Sequence, residues 1–241
     1  MLTLLRRPRW IAATVLVVAV CLVFAALGRW QLRRHEERKL ANEVMSARMA
    51  AEPIDLLAAL GAAGPDIGSL DFRPVTVTGV FDPADEVLLR SQVSDGRPGF
   101  DVVTPLTTEQ GTVLVNRGWV PLAADTPPVT EVTPPAGTVT VSGLARKSQV
   151  RPSIGPVEPD GRLTVIARVD LIRLSTQFPD LLPAWVQETD PPVDVLPIRV
   201  PPPPTDDPGP HLPYAFQWFS FAVITAVGYG FLIRKALLTG E

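Results

Sequence analysis

Only two histidines and one cysteine occur in the 241 residues, and no histidine or cysteine lies between Glu43 and Pro210. That middle stretch can build no Ser-His-Asp or Cys-His nucleophile system and no zinc site with His or Cys ligands. Its carboxylates form no spaced pair that stands out from a solvated surface, so a glycosidase-type pair has no support. The residues read as a binding scaffold, not an enzyme. Candidate chemistry sits instead in His211-Leu212-Pro213-Tyr214-Ala215-Phe216-Gln217-Trp218-Phe219. Pro213 favours the first turn of a helix, which puts His211 at or just outside its cap. An imidazole there can ligate haem iron axially, and Tyr214, Phe216, Trp218 and Phe219 can flank a macrocycle. The competing reading is an interfacial histidine among ordinary aromatic-belt residues. His35, about 12 Å beyond Leu27 on a continuous helix, sits among charges. Its default is a solvated face, and a second axial ligand is the alternative.

Two apolar runs must position these groups. Tyr214 to Ile233 is long enough to cross about 30 Å of hydrocarbon at roughly 1.5 Å per helical residue. Tyr214 and Trp218 suit the membrane–water interface, and Arg234 and Lys235 close the far end. At the other terminus Arg6, Arg7 and Arg9 precede the uncharged run Trp10 to Leu27. A cleaved signal shares that layout, but the run is long for one and leads into Gly28-Arg29-Trp30-Gln31, not into a loose processed start. It reads as a retained helix with Trp30 as interfacial anchor. Cys21 lies inside it, after a valine that suits lipoprotein cleavage poorly. Two crossings place both termini on one side. The basic N-terminus and Arg234/Lys235 favour the cytoplasm, against Arg29, Arg33, Arg34, Arg38 and Lys39 beyond the first run.

Between the runs, residues 29–51 contain neither proline nor glycine, so the first helix continues above the membrane. A short helix is expected around Ile54 to Leu60, ended by Gly61 and Gly64. Strands follow at Phe72–Phe81, Glu86–Gln92, Phe100–Leu106, Thr112–Val120, Thr138–Leu144, Leu163–Ala167 and Ala184–Glu188, with a helical stretch at Asp170–Gln177. Asp95-Gly96-Arg97-Pro98-Gly99 is a turn signal. The reading is an α+β membrane protein: two transmembrane helices flanking an extracytoplasmic, mainly antiparallel β domain of barrel or sandwich type. The expected order is a cytoplasmic N-terminus (1–9), first span (10–30), helical extension and connector (31–64) and β domain (65–200). A stiff proline-rich linker (201–213), second span (214–233) and cytoplasmic tail (234–241) complete it. The net charge of −3 argues against a nucleic-acid partner; membrane lipid is the expected surrounding.

Asn116-Arg117-Gly118-Trp119-Val120-Pro121 offers Trp119 and Arg117 as partner-binding candidates, with Trp30 beside the first span. For Trp119 the favoured reading is a core plug with Gly118 making a bulge. Arg73, Arg90 and Arg117 are strand arginines that could pair with carboxylates of a partner, of haem propionates or of the domain itself.

Four stretches, in order, together resemble the Surfeit locus protein 1 family, the membrane assembly factors of haem-copper cytochrome c oxidase. They are Leu27-Gly28-Arg29-Trp30-Gln31 with Arg34 and Lys39; Phe72-Arg73-Pro74-Val75 through Gly79-Val80-Phe81; Gly99-Phe100 with Thr104-Pro105-Leu106, running on through Val113 to Pro121; and His211 through Phe219. The resemblance implies a non-enzymatic protein that matures the oxidase catalytic subunit around delivery or insertion of haem a. It also implies that His211 matches the histidine through which bacterial members bind haem a as a transient ligand, with Tyr214 and Trp218 beside it. Pro213 departs from the small residue expected there. The arginine-rich, lysine-poor chain is most similar to an actinobacterial branch. In that branch a permanent structural subunit of the oxidase or respiratory supercomplex, without its own haem, is the alternative.

Overall fold

The computed structural model describes residues 7–63, 67–150, 152, 157–191 and 195–239. They fall into two units: Met1–Val44 with Pro204–Glu241, and Met45–Pro203. Arg6 of the basic start, Gly64 and the last two residues of the expected tail lie outside the described residues. The first helix, α1, is Pro8–Met49. Proline opens it where its missing N–H costs nothing, and the run free of proline and glycine after Gly28 lets it continue well past the apolar segment.

The second unit is the β domain. Its elements are β1 (Ile54–Asp55), α2 (Leu56–Ala63), β2 (Pro74–Phe81), β3 (Val87–Ser94), β4 (Arg97–Thr108), β5 (Gly111–Pro121), β6 (Thr138–Lys147), β7 (Val165–Ile166), α3 (Leu171–Leu174) and β8 (Ala184–Asp190). The sheet order is β1-β2-β6-β8-β5-β4-β3-β7, and a further β2–β4 pairing closes β2, β6, β8, β5 and β4 into a barrel. Closure depends on the length of β4. Its first part pairs with β3 over Arg97–Val103, and its end pairs with β2 at Leu106↔Phe81 and Thr107↔Val80. One strand thus serves neighbours on both sides and removes the exposed edges an open sheet would leave. The long pairings are antiparallel; β1–β2, β3–β7 and β5–β8 are short parallel ones.

Alternation along β2 points Val75, Val77 and Phe81 into the barrel, where they meet Leu106, Val113, Val115, Val141 and Val186 beneath Leu56 and Leu70. On the opposite face of β5, Leu114 packs with Val103, Trp185, Leu171, Leu174 and Phe178. β4 and β5 are therefore buried on both faces.

Several elements differ from the sequence reading for local reasons. The β3–β4 turn needs only Asp95 (φ 49) and Gly96 (φ 74), a two-residue hairpin loop, so Arg97, Pro98 and Gly99 already belong to β4. Helix α2 starts after Asp55, whose Oδ1 accepts from Ala58 N at 2.8 Å, and runs through Gly61, which does not end it. Gln177 holds both backbone groups of Leu163: Leu163 N donates to its Oε1 at 2.7 Å and its Nε2 donates to Leu163 O at 3.0 Å. That engagement delays β7 to Val165; the regular part of α3 ends at Leu174, with Gln177 N and Phe178 N still bonded to Leu174 O. The last helix, α4, is His211–Thr239, and with α1 it makes two helices long and apolar enough to cross a membrane.

Candidate functional site

His211 is the first residue of α4, and Tyr214 N makes an early helical bond to Pro210 O at 3.4 Å. Pro213, two residues in, falls where a helix needs no N–H from it. Helices α1 and α4 run antiparallel within the first unit. Tyr229 OH and Thr14 Oγ1 lie 2.6 Å apart near one end, and Cys21 Sγ donates to Ala222 O at 3.6 Å midway. Gly28 is the one buried residue among those described in α1. A Cβ added there would stand 2.8 Å from the ring of Phe219, so the missing side chain lets the helices approach.

One turn further along α1, Gln31 meets the histidine. His211 Nδ1 and Gln31 Oε1 are 2.9 Å apart, so the ring donates from Nδ1 and its lone pair is left on Nε2. Gly209 has φ +83, and a Cβ there would lie 3.6 Å from both Nε2 and Cδ2 of His211. Gly209 thus lies beside the Nε2 edge of the ring, where a side chain would make contact. Trp218 packs at centroid distances of 5.7 Å on Phe24 and 5.9 Å on Phe221. The structure thus joins His211 to Gln31, and Trp218 to an aromatic cluster on the same α4 face. It leaves Tyr214 and Trp30 half exposed and Phe216 exposed. Gln31 and Gly209 were missed as partners. Gln31 lies inside a motif already singled out, but only the α1–α4 register reveals its role.

The β-domain candidates are buried. Trp119 is 3% exposed and Arg117 is 5% exposed. Trp119 fills the interior beneath Arg97, whose guanidinium carbon is 5.2 Å from the ring centroid. Pairing slips by one residue between Val102 and Val103, where Gly118 and Asn116 face them. This is the bulge expected at Gly118, with φ +128. Arg117, the extra residue, turns inward. Its Nη2 donates to Val132 O at 2.6 Å, its Nη1 is 3.6 Å from Glu86 Oε2, and it lies over the Phe81 ring. Glu86 accepts in addition from Thr104 Oγ1 at 2.9 Å and Val129 N at 2.8 Å. Arg199 donates to Arg117 O at 2.5 Å and to Glu188 Oε1 at 2.9 Å. Desolvation raises Glu86 and Glu188 and lowers Arg117, while their mutual attractions act in the opposite direction. Of the carboxylates named for the strand arginines, the one Arg117 faces in this chain is the domain's own Glu86.

Asp101 pairs across the sheet with Trp119 and accepts from Asn116 Nδ2 at 2.8 Å. It is buried beside a cleft of about 320 Å³ shared with Gln92, Trp119 and Arg199. Desolvation, only partly offset by the Asn116 hydrogen bond, pushes its pKa up to about 6. An unfolded Asp titrates near ~3.9, so the unfolded chain releases this proton first. Stability is therefore expected to fall as pH rises from about 4 through 6, by about 2–3 kcal/mol from this group. Asp101→Asn should lessen the fall, read as Tm against pH on the full-length protein in detergent. An unaltered slope would show that Asp101 does not carry it.

The SURF1 family model matches residues 18–223, which takes in most of α1, the whole β domain and the first half of α4. The chain belongs to the SURF1 family. It is 30% identical to an uncharacterized SURF1-like protein of Mycobacterium tuberculosis, over 95% of this chain and 85% of the relative. The human Surfeit locus protein 1 is 30% identical over 61% of this chain and 52% of that protein. The Arabidopsis thaliana Surfeit locus protein 1 is 38% identical over 39% and 30%. SURF1 family proteins are known as cytochrome oxidase assembly factors, not enzymes. Of the four stretches that carried the resemblance, the first and last meet at Gln31 and His211. The second starts β2, where Phe72 N and Arg73 O pair with Ala145 at 2.8 Å each. The third forms the β4–β5 pair with its bulge.

Proposed function

We propose that this protein assists maturation of a haem-copper cytochrome c oxidase, holding haem a at His211 for insertion into, or stabilisation of, the catalytic subunit. The observation that carries the reading is the His211–Gln31 hydrogen bond of 2.9 Å at the start of a membrane-length helix. An imidazole that ligates metal commonly donates its other N–H to a carbonyl, which fixes ring and tautomer. Gly209 puts no side chain against the Nε2 edge. His211, oriented by Gln31, would hold the haem iron through its free ring nitrogen. Haem a, when bound, supplies an iron centre for the imidazole nitrogen to ligate. His211 holds, Gln31 orients, and Trp218 with Phe24 and Phe221 supplies an apolar aromatic wall.

Both termini are cytoplasmic in this reading and the β domain is extracytoplasmic, which puts His211 near the outer leaflet. The exposed Tyr214, Phe216 and Trp30 face lipid or the oxidase catalytic subunit. The β domain, with Arg117 and Arg199 paired to its own Glu86 and Glu188, serves as a rigid platform for that partner or for a respiratory supercomplex.

Deleting the gene is expected to yield oxidase depleted of haem a, measured as haem a per oxidase after purification. Wild-type protein restores it; His211→Ala, present in membranes at equal amount, does not. Oxidase with full haem a but a weakened complex would contradict the haem role and favour a structural accessory subunit.

A further inference from the structure

The polar stripe of α1 continues beyond Gln31. Residues 31, 35 and 42 fall within about 40° of one another on a helix turning ~100° per residue. Two of them bind the chain that leads into α4. Gln31 holds His211, and Asn42 Nδ2 donates to Asp207 O at 3.1 Å. Asp207 in turn accepts Gly209 N at 2.7 Å, so residues 207–211 run against this stripe between two fixed points. His35 stands between those points, on the same stripe. It is half-buried, and its Nδ1 is fully buried with no hydrogen-bond partner. That does not match the solvated face its charged neighbours imply. A buried imidazole nitrogen without a partner is costly, and no hydrogen bond at Nδ1 fixes this ring. At the start of α4, His211 commits Nδ1 to Gln31 and keeps Nε2 beside the side-chain-free Gly209.

We infer that His35 and His211 form a two-imidazole pair, with His35 as the second axial ligand to the haem iron proposed at His211. This rests on the haem reading above and adds to it a coordination number, a spin state and a residue. Both ligands of the pair come from the one helical hairpin, one from each helix. Two neutral nitrogen donors are a strong-field set, so the ferric centre is six-coordinate and low-spin.

The test uses full-length protein purified in detergent after co-expression with haem a synthesis, oxidised and examined by electron paramagnetic resonance and absorption. Wild type is expected to be low-spin. His35→Ala should keep haem through His211 but become high-spin; added imidazole should restore the low-spin spectrum, and His35→Met should give a distinct low-spin signal. A His35→Ala spectrum identical to wild type, or a high-spin wild type, would overturn the His35 assignment and leave His211 standing. Absence of haem from wild type would remove both together.

Discussion

Arg117→Ala is expected to destabilise the β domain by about 3–5 kcal/mol, the cost of removing one partner from a buried ion pair. The variant leaves Glu86 buried with Thr104 and Val129 but no counter-charge, and leaves Val132 O without its donor. Desolvation, which already raises Glu86, then acts unopposed by the guanidinium and raises it further. The variant should therefore lose least at acid pH, where Glu86 is neutral. A double change, Glu86→Gln with Arg117→Met, keeps approximate shape and removes both charges, though Val132 O still lacks its donor, and should recover part of the loss. Melting of the full-length protein in detergent decides it: a drop of about 10 °C for the single variant and a smaller one for the double. Equal melting of wild type and Arg117→Ala would show that the network does not support the fold.

Gly118→Val is the second large effect, again about 3–5 kcal/mol. Gly118 has φ +128, and a Cβ there would stand 2.8 Å from Ile198 C and 3.1 Å from Pro197 C. Both neighbours are backbone, so no rotamer change relieves the clash, and a β-branched residue is strained at that φ. The same approach carries the Trp119–Ile198 bridge, with N–H···O distances of 2.7 and 2.9 Å. Valine should release residues 197–201 and expose Trp119, giving a lower Tm and a red-shifted tryptophan emission. Gly118→Ala should have a smaller effect in the same direction. A valine variant with native melting and emission would contradict this role for the glycine.

The barrel's strands were legible because each alternates apolar and polar residues between glycine or proline turns. What failed locally was set by long-range contacts. Leu163 reads as a strand, yet its backbone is taken by Gln177, and β1 joins the sheet through only two residues. Closure through β4 could not be read from pattern alone, because a strand serving two neighbours looks like a long ordinary strand. Trp119 and Gly118 were correctly read as plug and bulge. Arg117 was left open because Glu86 reaches it from the start of β3 across the intervening β4, a placement set by register and by the bulge, neither of which pattern shows. Of the candidate haem site, His211 and Trp218 were visible as residue types at a span's edge. Gln31, Gly209 and the buried face of His35 depend on the register of two helices, which periodicity does not determine.

The most direct measurement is an absorption spectrum of the detergent-purified protein, co-expressed with haem a synthesis, for wild type and His211→Ala. Stoichiometric haem a in wild type and none in the variant, at equal yield and melting temperature, is the predicted result. The same haem a spectrum in both, or no haem in a wild type that co-purifies with the oxidase, would contradict a haem-handling role for His211.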